Sequence, residues 1–245
     1  MLAMTKTLPD PTILLTRPLG ASLAFRDSLR DAGILSPVEI SPVLSITSML
    51  SEPPTKMSGA IFTSKNGVQF AEPQDLPCWC VGDSTAQVAS QRGWQAVSAS
   101  GDAEALIKRI LADAPAGPLV HFRGEHARGD IAARLTAQGV PTQETEVYRQ
   151  SPLPLTQNAI EILNGNIPVV LPLFSPRSAR LIAKLGPFLA PVHAVAISAD
   201  TAQGVDALSL KTCDIAGAPD AKSMIATIRQ TLDAACRIVT DEDTP

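Results

Sequence analysis

Three short blocks of this sequence occur twice, in the same order and at nearly constant separation, and that repetition limits the folds open to the chain more than any other feature. Leu15-Thr16-Arg17, with the segment that ends at Gly33, resembles His121-Phe122-Arg123 and the segment that ends at Gly139; the arginines and the glycines are each 106 positions apart. Phe62-Thr63-Ser64-Lys65-Asn66 resembles Leu173-Phe174-Ser175-Pro176-Arg177, 111 positions on. Ser84-Thr85-Ala86-Gln87 resembles Asp200-Thr201-Ala202-Gln203, 116 positions on. Slowly growing offsets are what loop insertions leave after a duplication, so two copies of one unit are expected.

Each block joins an apolar run to an amphipathic one. The runs predict strands over 12–16, 59–63, 78–81, 119–122, 169–174 and 192–197. Helical spacing predicts helices over 21–32, 65–71, 84–92, 103–112, 130–138, 176–185, 201–208 and 221–236, with Gly33, Gly93 and Gly139 closing three of them. Such alternation is the mark of α/β domains, parallel sheets covered by helices on both faces. With 45% hydrophobic but only 4% aromatic residues, the core must be aliphatic, as buried parallel strands prefer. Pro172 argues against a central place for 169–174, because proline gives the ladder no donor.

Segments 36–54 and 149–156 are rich in Pro, Ser and Thr and read as hinge-like crossovers. If both cross, residues 1–40 and 150–245 form one discontinuous domain around an inserted domain of residues 43–148. Each domain then holds one copy of every block, in circularly permuted order.

Several function classes lose support. A net charge of -4, with no basic stretch interleaved with aromatics, gives no footprint for nucleic acid. The first 12 residues lack the apolar core of a signal peptide and no membrane-length apolar run follows, so a cytoplasmic protein without membrane contact is expected. The 4 cysteines make no disulfide framework, Cys78 and Cys80 read as reduced residues near a buried strand, and His121, His126 and His193 are too scattered to hold a metal. Glycine-rich dinucleotide and nucleoside-triphosphate signatures are absent, so neither NAD nor ATP is expected, and without a nucleophile elbow or zinc-hydrolase motif covalent or metal-assisted hydrolysis has no visible machinery.

What remains points to anion binding at strand ends. Ser64, Lys65 and Asn66 sit where a strand meets a helix start, and Ser175 with Arg177 repeats the arrangement; either orphan N–H groups and a cation receive a carboxylate, or the serines are simple caps. Gly82, Ser84 and Thr85, and their counterparts Ser198 and Thr201, offer backbone amides at a second pair of turns under the same two readings. Arg123 and Gly124 lead a loop through Arg128, whose charges either grip a carboxylate or pair with Glu125 and Asp130.

Taken in order, these motifs resemble the uroporphyrinogen-III synthase family. The resemblance is carried by Thr16-Arg17-Pro18, Phe62 to Val68, Val81 to Ala86, Phe122-Arg123-Gly124, Glu146-Val147-Tyr148-Arg149, Phe174-Ser175-Pro176 and Val195 to Ala202, and spans about residues 13–235. It departs at Ile197-Ser198-Ala199-Asp200-Thr201-Ala202, where relatives read Ile-Gly-Pro-x-Thr-Ala. The resemblance implies two flavodoxin-like lobes joined by two extended strands, with hydroxymethylbilane bound in the cleft and cyclised, its last ring inverted, without a cofactor. It also implies that Tyr148 assists departure of the hydroxyl as proton donor, that Arg17 and the turn residues named above bind substrate, and that the enzyme serves tetrapyrrole biosynthesis; a monomer is expected. The rival readings are a two-lobed cytoplasmic binding or sensor protein without catalysis, and a nucleotide-binding oxidoreductase, which a bound flavin would reveal.

Overall fold

Strands buried on both faces need helices on both sides, and the segments between them supply that cover. A computed structural model describes residues 10–49, 56–126 and 129–242, with backbone alone for 237–242. Its strands are β1 (Thr12–Leu15), β2 (Val38–Ile40), β3 (Leu44–Ser48), β4 (Gly59–Phe62), β5 (Pro77–Cys80), β6 (Gln95–Ser98), β7 (Leu119–Gly124), β8 (Thr142–Pro152), β9 (Val169–Leu173), β10 (Val192–Ala196) and β11 (Thr212–Ile215). Its helices are α1 (Leu19–Asp31), α2 (Lys65–Phe70), α3 (Asp83–Gln91), α4 (Ala103–Asp113), α5 (Ile131–Ala137), α6 (Gln157–Leu163), α7 (Pro176–Ala183), α8 (Ala199–Gln203) and α9 (Ala221–Glu242). No helix among the described residues is long and apolar enough to cross a membrane.

The chain divides into two compact units, Met1–Ser45 with Pro152–Pro245, and Ile46–Ser151. The first holds a five-stranded sheet in the order β11-β10-β9-β1-β2, the second a six-stranded sheet in the order β3-β8-β7-β4-β5-β6. Every ladder is parallel except that of β3, where Met49 N–H donates to Val147 O at 3.0 Å and Leu153 N–H to Val43 O at 2.9 Å, the reversed pairing of antiparallel strands. Counted along the chain, the first sheet has the doubly wound order 2-1-3-4-5; counted from β9, it reads 3-2-1-4-5, the order that β4 to β8 of the second sheet give, with β3 added at the edge beside β8.

The registers carry the same permutation residue by residue. Ile13 lies opposite Val170 as Leu119 lies opposite Gly59, and Leu171 lies opposite Ala194 as Ala60 lies opposite Cys78, reproducing the offsets of 106, 111 and 116 found in the blocks. The closing glycines agree, Gly33 with φ 76° and Gly139 with φ 88°, a region in which a Cβ would be strained.

Side chains alternate between two cores in each unit. In the first, Leu14, Leu171 and Leu173 pack with Ala159, Leu163 and Ile182, while Ile13, Leu15 and Val170 pack on the other face with Phe25, Leu29, Met224 and Ile228. In the second, Phe62, Val120 and Phe122 pack with Val68 and Trp94, while Ile61, Trp79 and Leu119 meet Leu106, Ile110 and Leu135. Cys78 and Cys80 lie fully buried in β5 as free thiols, their Sγ atoms 4.0 Å apart.

Four expectations need correction. The secondary structure of segments 36–54 and 149–156 is regular rather than loop-like, for β2, β3 and the end of β8 occupy them as far as they are described, residues 50–54 lying outside the described set. Their Val, Ile and Thr favour strands over the loop that Pro and Ser suggest. The edge strands β6 and β11 escaped because half-exposed runs lack a continuous apolar stretch. The helix expected over 201–208 is the five-residue α8, followed by turns. Pro172 does sit in a central strand: β9 keeps its β10 ladder through Leu173, but its β1 ladder ends at Val170, so the missing donor falls beyond the last pair.

Candidate functional site

Where the strand order of a doubly wound sheet reverses, the loops leaving the C-terminal strand ends part and a ligand crevice opens. In the first unit the reversal lies between β1 and β9, in the second between β7 and β4. Arg17 leaves β1 at the first of these points and Phe174 leaves β9 beside it. The Arg17 guanidinium lies 3.9 Å from the Phe174 ring centroid and 5.8 Å from that of Phe25, and the two rings meet edge to face at 4.7 Å. The Ser22 hydroxyl donates to Arg17 O at 2.9 Å and fixes the turn. Burial holds the guanidinium below the ordinary arginine range, and among the described residues no carboxylate offsets its charge.

The matching arginine of the second unit is spent differently. Arg123 Nε donates to Glu144 Oε2 at 2.6 Å and Nη2 meets Glu146 Oε1 at 3.0 Å, while Nη1 donates to Gly124 O at 2.9 Å and Glu125 O at 3.3 Å. By register, Glu144 and Glu146 match Ile40 and Pro42 of the first unit, which explains why Arg17 has no such partners. Of the two arrangements open to this loop in sequence, pairing of its arginines with Glu125 and Asp130 does not form at Arg123. Instead Glu125 accepts from Arg149 Nε at 3.0 Å, and Asp130 stands at the start of α5; Arg128 lies outside the described residues. Two glutamates at i, i+2 of a strand share a face. Reading 142–152 as a strand would have found them.

At the remaining turns the capping hydrogen bonds are formed. Ser64 accepts from Asn66 N–H at 3.2 Å, Ser175 from Ser178 N–H at 3.1 Å and Ser198 from Thr201 N–H at 3.3 Å, so all three are helix caps. Lys65 is exposed at the start of α2, and Arg177 follows on the first turn of α7. Thr201 is fully buried with its Oγ1 3.0 Å from Ser198 Oγ, and Thr85 is buried at the matching place. Gly82 and Ser84 flank Asp83, whose carboxylate turns aside to accept from Ser98 and Ser100 at 2.6 and 2.8 Å; those hydroxyls hold it below the usual carboxylate range.

Tyr148 of β8 is the only tyrosine in the chain. It is 8% exposed and stacks on Phe70, ring centroids 6.0 Å apart, and among the described residues none hydrogen-bonds its hydroxyl. On β7, His121 is 1% exposed with Nε2 3.2 Å from Thr63 Oγ1 and Nδ1 3.7 Å from Glu144 Oε1. Burial pushes the imidazole down to about 4 from an ordinary 6.5, Glu144 opposing and Arg123 assisting. Between those values the unfolded chain binds the extra proton, so the stability that neutral His121 supplies is complete above pH 6.5 and is lost as the pH falls toward 4. The loss amounts to about 3 kcal/mol. His121→Leu, which installs the residue of the matching position Leu15, is expected to flatten urea-unfolding stability across that window. Equal slopes in wild type and variant would reject this role.

Among the described residues no three His, Cys, Asp or Glu side chains gather as a metal site. No curated protein matches the sequence. In structure the chain resembles a uroporphyrinogen-III synthetase from Helicobacter pylori, with TM-score 0.64 and 15% identity over 90% of this chain and 99% of that one. It also resembles a mutant uroporphyrinogen III synthase from Thermus thermophilus, with TM-score 0.53 and 14% identity over 91% and 99% of the two chains. Identities this low speak for the fold alone. The sequence itself, however, matches the family model described as Uroporphyrinogen-III synthase HemD over residues 24–226, and the chain therefore belongs to the uroporphyrinogen-III synthase family.

Proposed function

We propose that this lyase closes hydroxymethylbilane to uroporphyrinogen III, with the strand-end turns holding the substrate and Tyr148 assisting loss of its hydroxyl. The observation that carries the reading is Arg17, a half-buried cation on an aromatic platform with no carboxylate partner among the described residues. A desolvated charge is costly unless it is paired, and a substrate with eight carboxylates supplies the partner. Further carboxylates fall to Lys65, Asn66, Gly82, Ser84, Ser175, Arg177 and Ser198, through side chains and first-turn amides. Thr85 and Thr201 support their turns from within, and Arg123 shapes Gly124.

The chemistry asks little of any side chain. Tyr148 gives its proton to the terminal hydroxyl, which departs as water, and the pyrrole N–H proton returns to the phenolate, leaving a neutral azafulvene. The azafulvene is attacked at the substituted carbon of the last pyrrole, and the spiro intermediate reopens and recloses inverted. Because the linear tetrapyrrole closes spontaneously without inversion, the protein's main contribution is orientation.

The test is to supply freshly made hydroxymethylbilane to chelator-treated protein and identify the isomer formed. Type III product at an undiminished rate supports the reading. Type I alone rejects it, and a rate that returns only with added metal rejects the cofactor-free mechanism.

The architecture behind this reading is two flavodoxin-like domains joined by β3 and β8 as extended linkers, in a cytoplasmic monomer. The support is that both unit boundaries fall inside those strands. A fragment of residues 46–151 is then expected to melt cooperatively on its own. A fragment without a cooperative transition would mean that the two units fold only as one.

A further inference from the structure

Gly124 has no conformational reason to be glycine: it is not among the glycines of positive φ. Its reason is a contact. A Cβ built there would lie 2.6 Å from Cε2 and Cζ of Tyr148 and 3.0 Å from its hydroxyl oxygen, so the bare backbone lies against the edge of the phenol. A second support is Phe70, stacked on the ring at an interplanar angle of 30°. Gly124 reaches this place because β7 and β8 slip in register between Arg123 and Gly124: Arg123 faces Glu146, whereas Gly124 faces Tyr148. Arg123 pins the slip, held from β8 by Glu144 and Glu146 while it donates to Gly124 O and Glu125 O. Glu125 N–H closes the loop by donating to Tyr148 O at 3.0 Å.

We propose that Gly124, locked by Arg123, is the positioning residue for the Tyr148 hydroxyl. The missing side chain at 124 and the ring of Phe70 together fix where the phenol points, and the two glutamates serve the reaction only through Arg123. This rests on Tyr148 as proton donor. A proton donor must sit within hydrogen-bond reach of the atom it serves, so a displaced ring loses turnover even in a folded protein.

The test uses the full chain labelled with 3-fluorotyrosine, in which the sole tyrosine gives one fluorine resonance. In Gly124→Ala the added carbon meets the far end of a flexible side chain, so the ring is expected to move while the melting temperature stays near wild type. The resonance should shift and kcat should fall on the order of 10²-fold, with KM for hydroxymethylbilane changing much less. In a Tyr148→Phe background the same substitution should cost little more, because the group being positioned is already gone. An unmoved resonance, or an unchanged kcat while Tyr148→Phe is slow, overturns the proposal and leaves the donor reading standing. Wild-type turnover in Tyr148→Phe overturns the donor reading, and the proposal with it. If Gly124→Ala yields no folded protein, Glu146→Gln removes one anchor of Arg123 without adding an atom at 124. It must move the same resonance and lower kcat; leaving both unchanged overturns the proposal.

Discussion

Tyr148→Phe is expected to lower turnover of hydroxymethylbilane by roughly 10² to 10⁴-fold, the usual contribution of a general acid. The substitution deletes one oxygen and keeps the ring stacked on Phe70 and against Gly124, so thermal stability should change little. The product that still forms should remain type III, because the groups that fold the substrate are untouched. A substitution that instead disturbed substrate folding would raise the share of type I. Thr201→Val is a useful contrast: the hydroxyl it removes is buried against Ser198, so it should cost about 1 kcal/mol of stability and little turnover. Near wild-type turnover in Tyr148→Phe would take the phenol out of the mechanism and leave backbone positioning as the better account.

The second large effect is expected at Arg17. Arg17→Met keeps an unbranched apolar stem over Phe174 and removes the charge. If the guanidinium binds a substrate carboxylate, the lost charge-assisted bonds are worth about 1.5 to 3 kcal/mol, and KM should rise by roughly 10 to 150-fold. Stability should hold or improve, since a half-buried charge without a counter-ion disappears. Arg123→Met should behave in the opposite way, because it strands Glu144 and Glu146 after breaking bonds of 2.6 and 3.0 Å. Measuring KM and urea stability on both variants separates a cation kept for ligand from one used for structure. An unchanged KM in Arg17→Met would remove Arg17 from the substrate site.

The sequence alone determined the α/β class and the duplication. Offsets between short blocks are a property of the chain that folding cannot alter, and parallel strands buried on both faces announce themselves as apolar runs. It located the strand-end turns for the same reason: the motifs are contiguous. Tertiary structure decided which side chains act together. Arg17 and Arg123 occupy matching places in matching blocks, and nothing local tells them apart. The difference lies in residues far along the chain, Phe174 beside one, Glu144 and Glu146 beside the other. Likewise Gly124 reads as a flexible loop glycine until β8 lays Tyr148 against it across a register slip. Ladder register and strand order bring distant residues together, and both are fixed by packing of the whole sheet, which no short stretch of sequence contains.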